Sequence, residues 1–384
     1  MDRLRTDELP LLERLGVRYF RKLSTFHGKI DAGDGVAYLN PQERHELRRV
    51  VRSGITRAAV AGAISTCVSA TAEIIARHIL HPEAANATWE TQAKLWTVIG
   101  VATACASVVE ISYLYWDGLK TVHELTRVAG LELFPEGERT AVSQAMARAA
   151  LELPNPTGAV FGIDPRREAS KFGLFVASVV YKAKVSVSNF LAKALFRRVL
   201  GRAILRASLL PLVAVPVTAA WNGIVAWLIL REARVRAMGP SAAEEMTDAF
   251  FFEAPPLSDL SRAAALRAVA SSIVRTRDLH PNLIELLIRV RKFVGDIDAQ
   301  SLDDPHEFIA CLEKLTHDEQ SLVLGILSIA AILDGRLTRA EKKLVAQART
   351  ACGRAPNLNA LDHLRKSFLA GDALDREALR VVGN

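Results

Sequence analysis

A chain of 384 residues, half of them apolar and only 6% aromatic, is long enough for two or three domains and can bury a sizeable core. Its 49 Lys and Arg against 42 Asp and Glu leave a net charge of +7, and the pI near 9.3 suits anionic partners. The four cysteines, Cys67, Cys105, Cys311 and Cys352, show neither a CxxC nor a ligand spacing. That excludes a disulfide framework and fits small core residues in a reducing compartment.

The opening, "MDRLRTDELPLLERLG", is charged from its second residue and lacks the apolar run of a cleaved signal peptide. The expected location is therefore the cytoplasmic side of the inner (plasma) membrane. Residues 1–40 read as an amphipathic helix and a Gly/Asp loop. "NPQERHELRRVV" then opens a helix, with Asn40 as N-cap, Pro41 at N1 and Glu43 closing a capping box. The helix is expected to break or bend near Gly54. Ala58–Ala72 and Leu95–Val109 are two stretches of fifteen uncharged residues, ended by Glu73 and Glu110. Each is shorter than the roughly 20 residues that span a bilayer. Both are rich in Gly, Ala, Ser and Thr, which let helices approach closely. The simplest geometry is an antiparallel hairpin centred near residue 86, which places Cys67 and Cys105 at the same height. A Gly stop follows at Gly130, then a soluble amphipathic helix.

Between Glu168 and Glu232 there is no acid, while nine Lys and Arg occur. Lys182, Lys184, Lys193, Arg197, Arg198, Arg202 and Arg206 are candidate contacts for anionic lipid. No helix-turn-helix, zinc module or RNA-binding strand motif accompanies them, so no nucleic-acid partner is expected. Residues 207–230 are 24 in number and uncharged, enough to span with some tilt. Pro211 and Pro216 are expected to break the first half, and Asn222 adds an amide that needs a partner. A re-entrant or peripheral bundle fits these features as well as a true span. Glu73, Glu110 and Asn222 are the candidate polar residues inside such a bundle. "FFFEAPPLSDLS" marks a boundary, with Ser258 as N-cap, and the remainder has ordinary charge density and helical periodicity. No strand alternation appears, so the fold class is all-α: residues 1–40, an apolar and basic helical module over 41–254, and a helical domain over 255–384.

"VVEISYLYWDGLKTVHELTRVAG" and "FLAKALFRRVLGRAILRASLLPLVAVPVTAAWNGIVAWLILREAR" resemble the EcsC family, over roughly residues 50–237. The resemblance implies association with membranes and transporter-linked processes, and carries over no catalytic residue. "LVLGILSIAAILDGRLTRAEKKLV" resembles the TerB (tellurite-resistance) helical domain, over roughly 258–384. That resemblance implies a tie to membrane stress systems and metal binding by acids at Asp334 and Glu341. Read from the residues alone, Gly335 ends one helix and Thr338 with Glu341 caps the next. Calcium wants six to eight oxygens, and "DGRLTRAE" offers two acids beside two arginines.

The sequence has no Gly-x-Ser-x-Gly elbow, P-loop, GxGxxG or HExxH. No cofactor is expected apart from a divalent cation at Asp334 and Glu341, and no enzymatic activity. The leading expectation is a non-enzymatic, membrane-associated helical protein that contacts anionic lipid. It also allows a protein partner or a homo-oligomer through the apolar helices. The rivals are a soluble scaffold with buried apolar helices and a metal-responsive sensor.

Overall fold

A computed structural model of the chain describes residues 10–27, 39–82, 88–134, 140–156, 158–168, 210–252, 256–295, 302–372 and 376–383. Over these residues the protein is all-α, with one isolated bridge between Val160 and Ile163. The helices in chain order are α1 (Leu11–His27), α2 (Pro41–Leu80), α3 (Trp89–Val128), α4 (Thr140–Ala150), α5 (Leu210–Phe251) and α6 (Asp259–Thr276). They continue as α7 (Pro281–Val294), α8 (Pro305–Leu312), α9 (His317–Ile332), α10 (Arg339–Ala351), α11 (Leu358–Ala370) and α12 (Arg376–Gly383).

Local chemistry sets the ends. At the start of α2 the Asn40 side chain accepts from Glu43 N, and the Glu43 carboxylate accepts from Asn40 N, each at 2.8 Å. Such caps contribute about 1 kcal/mol. After α3, Gly130 sits at φ +70°, and Leu131 N donates to Thr126 O at 2.9 Å. This is a left-handed stop that uses the last orphan carbonyls.

Two expected breaks do not occur. α2 runs unbroken past Gly54. The missing side chain there serves close approach instead, since a Cβ would lie 2.9 Å from Thr121 Cγ2 and 3.0 Å from Leu230 Cδ1. α5 likewise runs through both prolines. Pro211 occupies the first turn, where its missing N–H has no intrahelical acceptor anyway. Pro216 lies inside, and just beyond it the Thr218 hydroxyl bonds the Ala214 and Val215 carbonyls at 3.0 and 3.1 Å.

The chain forms two compact units, one of residues 1–48, 122–169 and 231–384, the other of 49–121 and 170–230. In the first, α6 is the central helix and packs against α7, α8, α9 and α10. Its sequence, "DLSRAAALRAVASSIVRT", is small or apolar nearly all round, and Ala263 to Val274 are all buried. α9 is buried almost as completely. Thr316 and Glu319 form its capping box, and Glu319 also accepts from Ser258 N and Oγ at the start of α6. Burial works against that carboxylate, but the hydrogen bonds from Ser258 and Thr316 outweigh it and hold its pKa at about 2. The later part of α5, from Arg231, belongs to this unit too. Asn282 Nδ2 donates to Val235 O at 3.0 Å and to Leu333 O at 2.7 Å. α1 packs on α4, where Arg148 pairs with the buried Glu13 at 2.9 Å.

Candidate functional site

In the second unit, α2 pairs antiparallel with both α3 and α5. Between α2 and α3, Arg57 Nε bonds Asp117 Oδ1 at 2.7 Å, and Arg57 Nη2 bonds the Thr121 hydroxyl at 2.7 Å. Nearer the connection, Ala76 and Leu80 pack on Leu95 and Ile99. These contacts fix the hairpin axis close to residue 87, one position from the sequence expectation. Between α2 and α5, Gly54 faces Leu230 and Gly62 faces Thr218 and Asn222, while the Thr66 and Thr218 hydroxyls meet at 2.6 Å. Gly62 is essential to that approach: a Cβ would sit 2.5 Å from Asn222 Nδ2 and 2.9 Å from Thr218 O.

Leu95 and Ile99 are buried near the connection, but around Gly62–Ala70 the interior of this unit is small and polar while its exterior is large and apolar. On α2 the buried side carries Gly62, Ser65, Thr66, Ser69 and Ala70. Its exposed side carries Val60, Ile64, Val68, Ile75 and Ile79, spaced by four or seven residues along one face. On α3, Glu110 is buried while Val101, Val108 and Val109 are exposed. On α5, Thr218 and Asn222 are buried while Trp221, Ile224 and Leu228 are exposed. Three helices, α2, α3 and Ala214–Phe251 of α5, are long and apolar enough to cross a membrane, and only 17% of the most apolar window of α3 is buried. In water the apolar faces should turn inward. In lipid the two sides exchange: small and polar residues hold helices together, and large aliphatic ones face the acyl chains.

Asn222 Nδ2 donates to Glu110 Oε1 at 2.7 Å, both side chains buried. Glu73 instead pairs along its own helix with Arg77 at 3.3 Å. Lys182, Lys184, Lys193, Arg197, Arg198, Arg202 and Arg206 lie outside the described residues. The Thr66–Thr218 contact and the Arg57–Asp117–Thr121 cluster were not singled out in the sequence. The excess of Ser, Thr and Gly on one face of α2 was the readable signal. What the sequence withheld was the partner helix.

In the first unit, Asp334 and Glu341 are both buried and lie close enough to feel each other's charge. Glu341 Oε2 accepts from Thr338 N at 2.8 Å, and Oε1 accepts from Ser272 Oγ at 3.3 Å. Asp334 Oδ1 accepts from Arg336 N at 2.7 Å. Burial, then the neighbouring Asp334 charge, push the Glu341 carboxyl up to about 8. Burial also raises Asp334. Among the described residues no three His, Cys, Asp or Glu side chains converge as a ligand group. A second polar knot lies in the same unit. Glu232 accepts from Arg236, Arg336 and His280, and Arg236 reaches on to the Ala145 carbonyl and to Asn155. Nothing in the spacing of these residues announced it, because they come from separate stretches of the chain.

Comparison with protein-family models, with curated proteins and with solved structures finds no match.

Proposed function

We propose that this chain is a non-enzymatic, membrane-associated helical protein of the cytoplasmic side, peripheral or partly inserted. Its EcsC-like apolar module would hold it in lipid, and its TerB-like helices would serve a partner or a signal in membrane stress, transport or assembly. The observation that carries the reading is the inverted pattern of the second unit, with hydroxyls, an amide and a carboxylate inside and valines, isoleucines and tryptophans outside. The acid-free basic block over 169–231 supports contact with anionic lipid. The process named rests on the two family resemblances alone.

Fractionation of cells expressing the full chain tests the proposal. The protein is expected in the membrane pellet and to stay there through a high-salt wash, because apolar faces rather than charges alone hold it. An alkaline carbonate wash then separates the inserted from the peripheral form. Recovery as a detergent-free soluble oligomer would refute it and favour the scaffold reading, in which copies of the chain cover one another's apolar faces.

A further inference from the structure

We infer that the α2–α3 hairpin crosses the whole bilayer, with its connection on the far side and the Arg57–Asp117 end in the cytoplasm. This rests on the membrane reading above and goes beyond it, because a peripheral or re-entrant bundle would also pellet with membranes. The first argument is length. All five tryptophans of the chain lie on α3 and α5, and all are exposed. Trp96, 62% exposed, and Trp116, 46% exposed, stand 20 residues apart on α3. At about 1.5 Å per residue that is about 30 Å, the thickness of the hydrocarbon core.

The second argument is that Trp96, Trp116 and Trp227 mark two planes, while Trp221, next to Asn222, lies between them. The pairing of Gly54 with Leu230 and of Arg57 with Asp117 brings Trp227 of α5 to the height of Trp116. Tyr113 packs on Trp116, and Lys120 lies over the Trp116 ring at 5.7 Å from its centroid. The Arg57–Asp117 ion pair sits at the same level. Aromatic rings beside the first charges are what a membrane–water interface collects. At the other end Trp96 stands one residue from Leu95, which packs on Ala76 and Leu80 of α2, and Trp89 lies further toward the connection.

Between the two planes the carboxylates have partners: Glu110 takes the Asn222 amide, and Glu73 takes Arg77 close to the Trp96 plane. Cys67 and Cys105, both exposed, fall close to midway between the planes.

The third argument is charge. Arg44, Arg48, Arg49, Arg52 and Lys120 flank the Trp116 end, whereas the stretch from Arg77 through the connection carries Arg77 and Lys94. Counted over the flanks of the hairpin itself, Lys and Arg are the fewer at the connection, which assigns it to the translocated side. Arg197, Arg198, Arg202 and Arg206, which precede α5 where it starts toward the connection, count against that assignment, and the labelling below decides it.

Membrane-impermeant maleimide, applied to intact cells, tests the topology. Thr88→Cys and Arg52→Cys are introduced singly after Cys67, Cys105, Cys311 and Cys352 are replaced by Ser. Retention in the carbonate-washed pellet shows that each variant still inserts. Thr88→Cys is expected to label from outside, and Arg52→Cys only after permeabilisation. If both label only after permeabilisation, the crossing is wrong although membrane association stands. If the native chain is released by carbonate, the crossing is wrong; if it never pellets with membranes, the membrane reading itself fails. A second measurement uses the native Cys67 and Cys105 in membranes, with Cys311 and Cys352 replaced by Ser. Hydrocarbon keeps a thiol protonated and maleimide adds to the thiolate, so both are expected to resist the impermeant maleimide until detergent dissolves the membrane. Their reaction in intact membranes would put them in water and overturn the inference.

Discussion

Glu341 should make the first unit lose stability between mildly acid and mildly alkaline pH, and Glu341→Gln should remove most of that loss. The carboxyl is fully buried, lies beside Asp334, and titrates near 8 instead of near its ordinary 4.5. A folded-state pKa above the unfolded one means that the folded chain holds the proton longer. Its contribution to stability is complete below about 4.5 and is lost as pH rises toward 8. Within that window the loss is about 1.4 kcal/mol per pH unit. Asp334 is raised as well, so the first proton released belongs to the pair.

Gln at position 341 can still accept from Thr338 N, because Gln also serves at N3 of a capping box. It removes the charge that Asp334 opposes. Thermal unfolding of the detergent-solubilised chain, followed by circular dichroism from pH 5 to 9, gives the comparison. At about 2–4 °C per kcal/mol for a unit of this size, the native protein should drop by about 5–10 °C between pH 6 and 8 relative to the Gln variant. The two should converge near pH 5. Parallel curves, or a native protein more stable than the variant at pH 8, would refute the reasoning.

Gly335→Val should lower Tm, because Gly335 sits at φ +72° and a Cβ there would lie 2.8 Å from Val235 Cγ2. Backbone strain and overpacking each contribute about 1–3 kcal/mol, and an unchanged melt would show that the turn relaxes freely. Gly62→Val should separate α2 from α5 in the second unit, read as faster proteolysis of the chain in micelles, whereas Gly100→Ala, where a Cβ meets nothing within 4 Å, should be silent. A fragment starting at Arg231 should melt higher than one starting at Leu257, because Val235 and Gly239 pack against Asn282 and Phe250 against Gly325. Equal melting would mean that the end of α5 adds nothing to the C-terminal helices.

The helix ends were largely legible in the sequence, because a cap is a local event. Asn40 with Glu43, Ser258, and Thr338 with Glu341 each need only three or four neighbouring residues to be recognised. The all-α class and the hairpin centre followed from composition and periodicity in the same way. The breaks at Gly54 and Pro216 were misread, because each residue's meaning depends on a second helix. Gly54 is small for the sake of Thr121 and Leu230, and Pro216 stands beside a threonine hydroxyl bonded to two carbonyls of its own helix and to Thr66 of α2. The Glu232–Arg236–His280–Arg336 knot was illegible for a stronger reason. Its members come from α5 and from two later turns, and only the fold brings them together.

The second unit also resolves why its sequence reads ambiguously. Taken one helix at a time, Ala58–Ala72 and Leu95–Val109 are too short to span and too rich in Ser and Thr to look like lipid anchors. Taken together, they divide the work by face rather than by length. The Thr66 hydroxyl finds Thr218, and the Glu110 carboxylate finds Asn222. The helix then continues past each glutamate without presenting a bare charge to the outside. On the crossing inferred above, the apolar length of α3 runs from Trp96 to Trp116, past the first acid at Glu110. An unpaired buried carboxylate would be far more expensive than an unpaired hydroxyl, which makes Asn222 the most consequential of these partners. Replacing it by Leu should weaken the α3–α5 association in lipid by more than Thr218→Leu weakens the α2–α5 association. Cross-linking between cysteines placed on α3 and α5, and separately on α2 and α5, measures that order, and the reverse order would show that hydroxyl contacts, not the amide, hold the bundle.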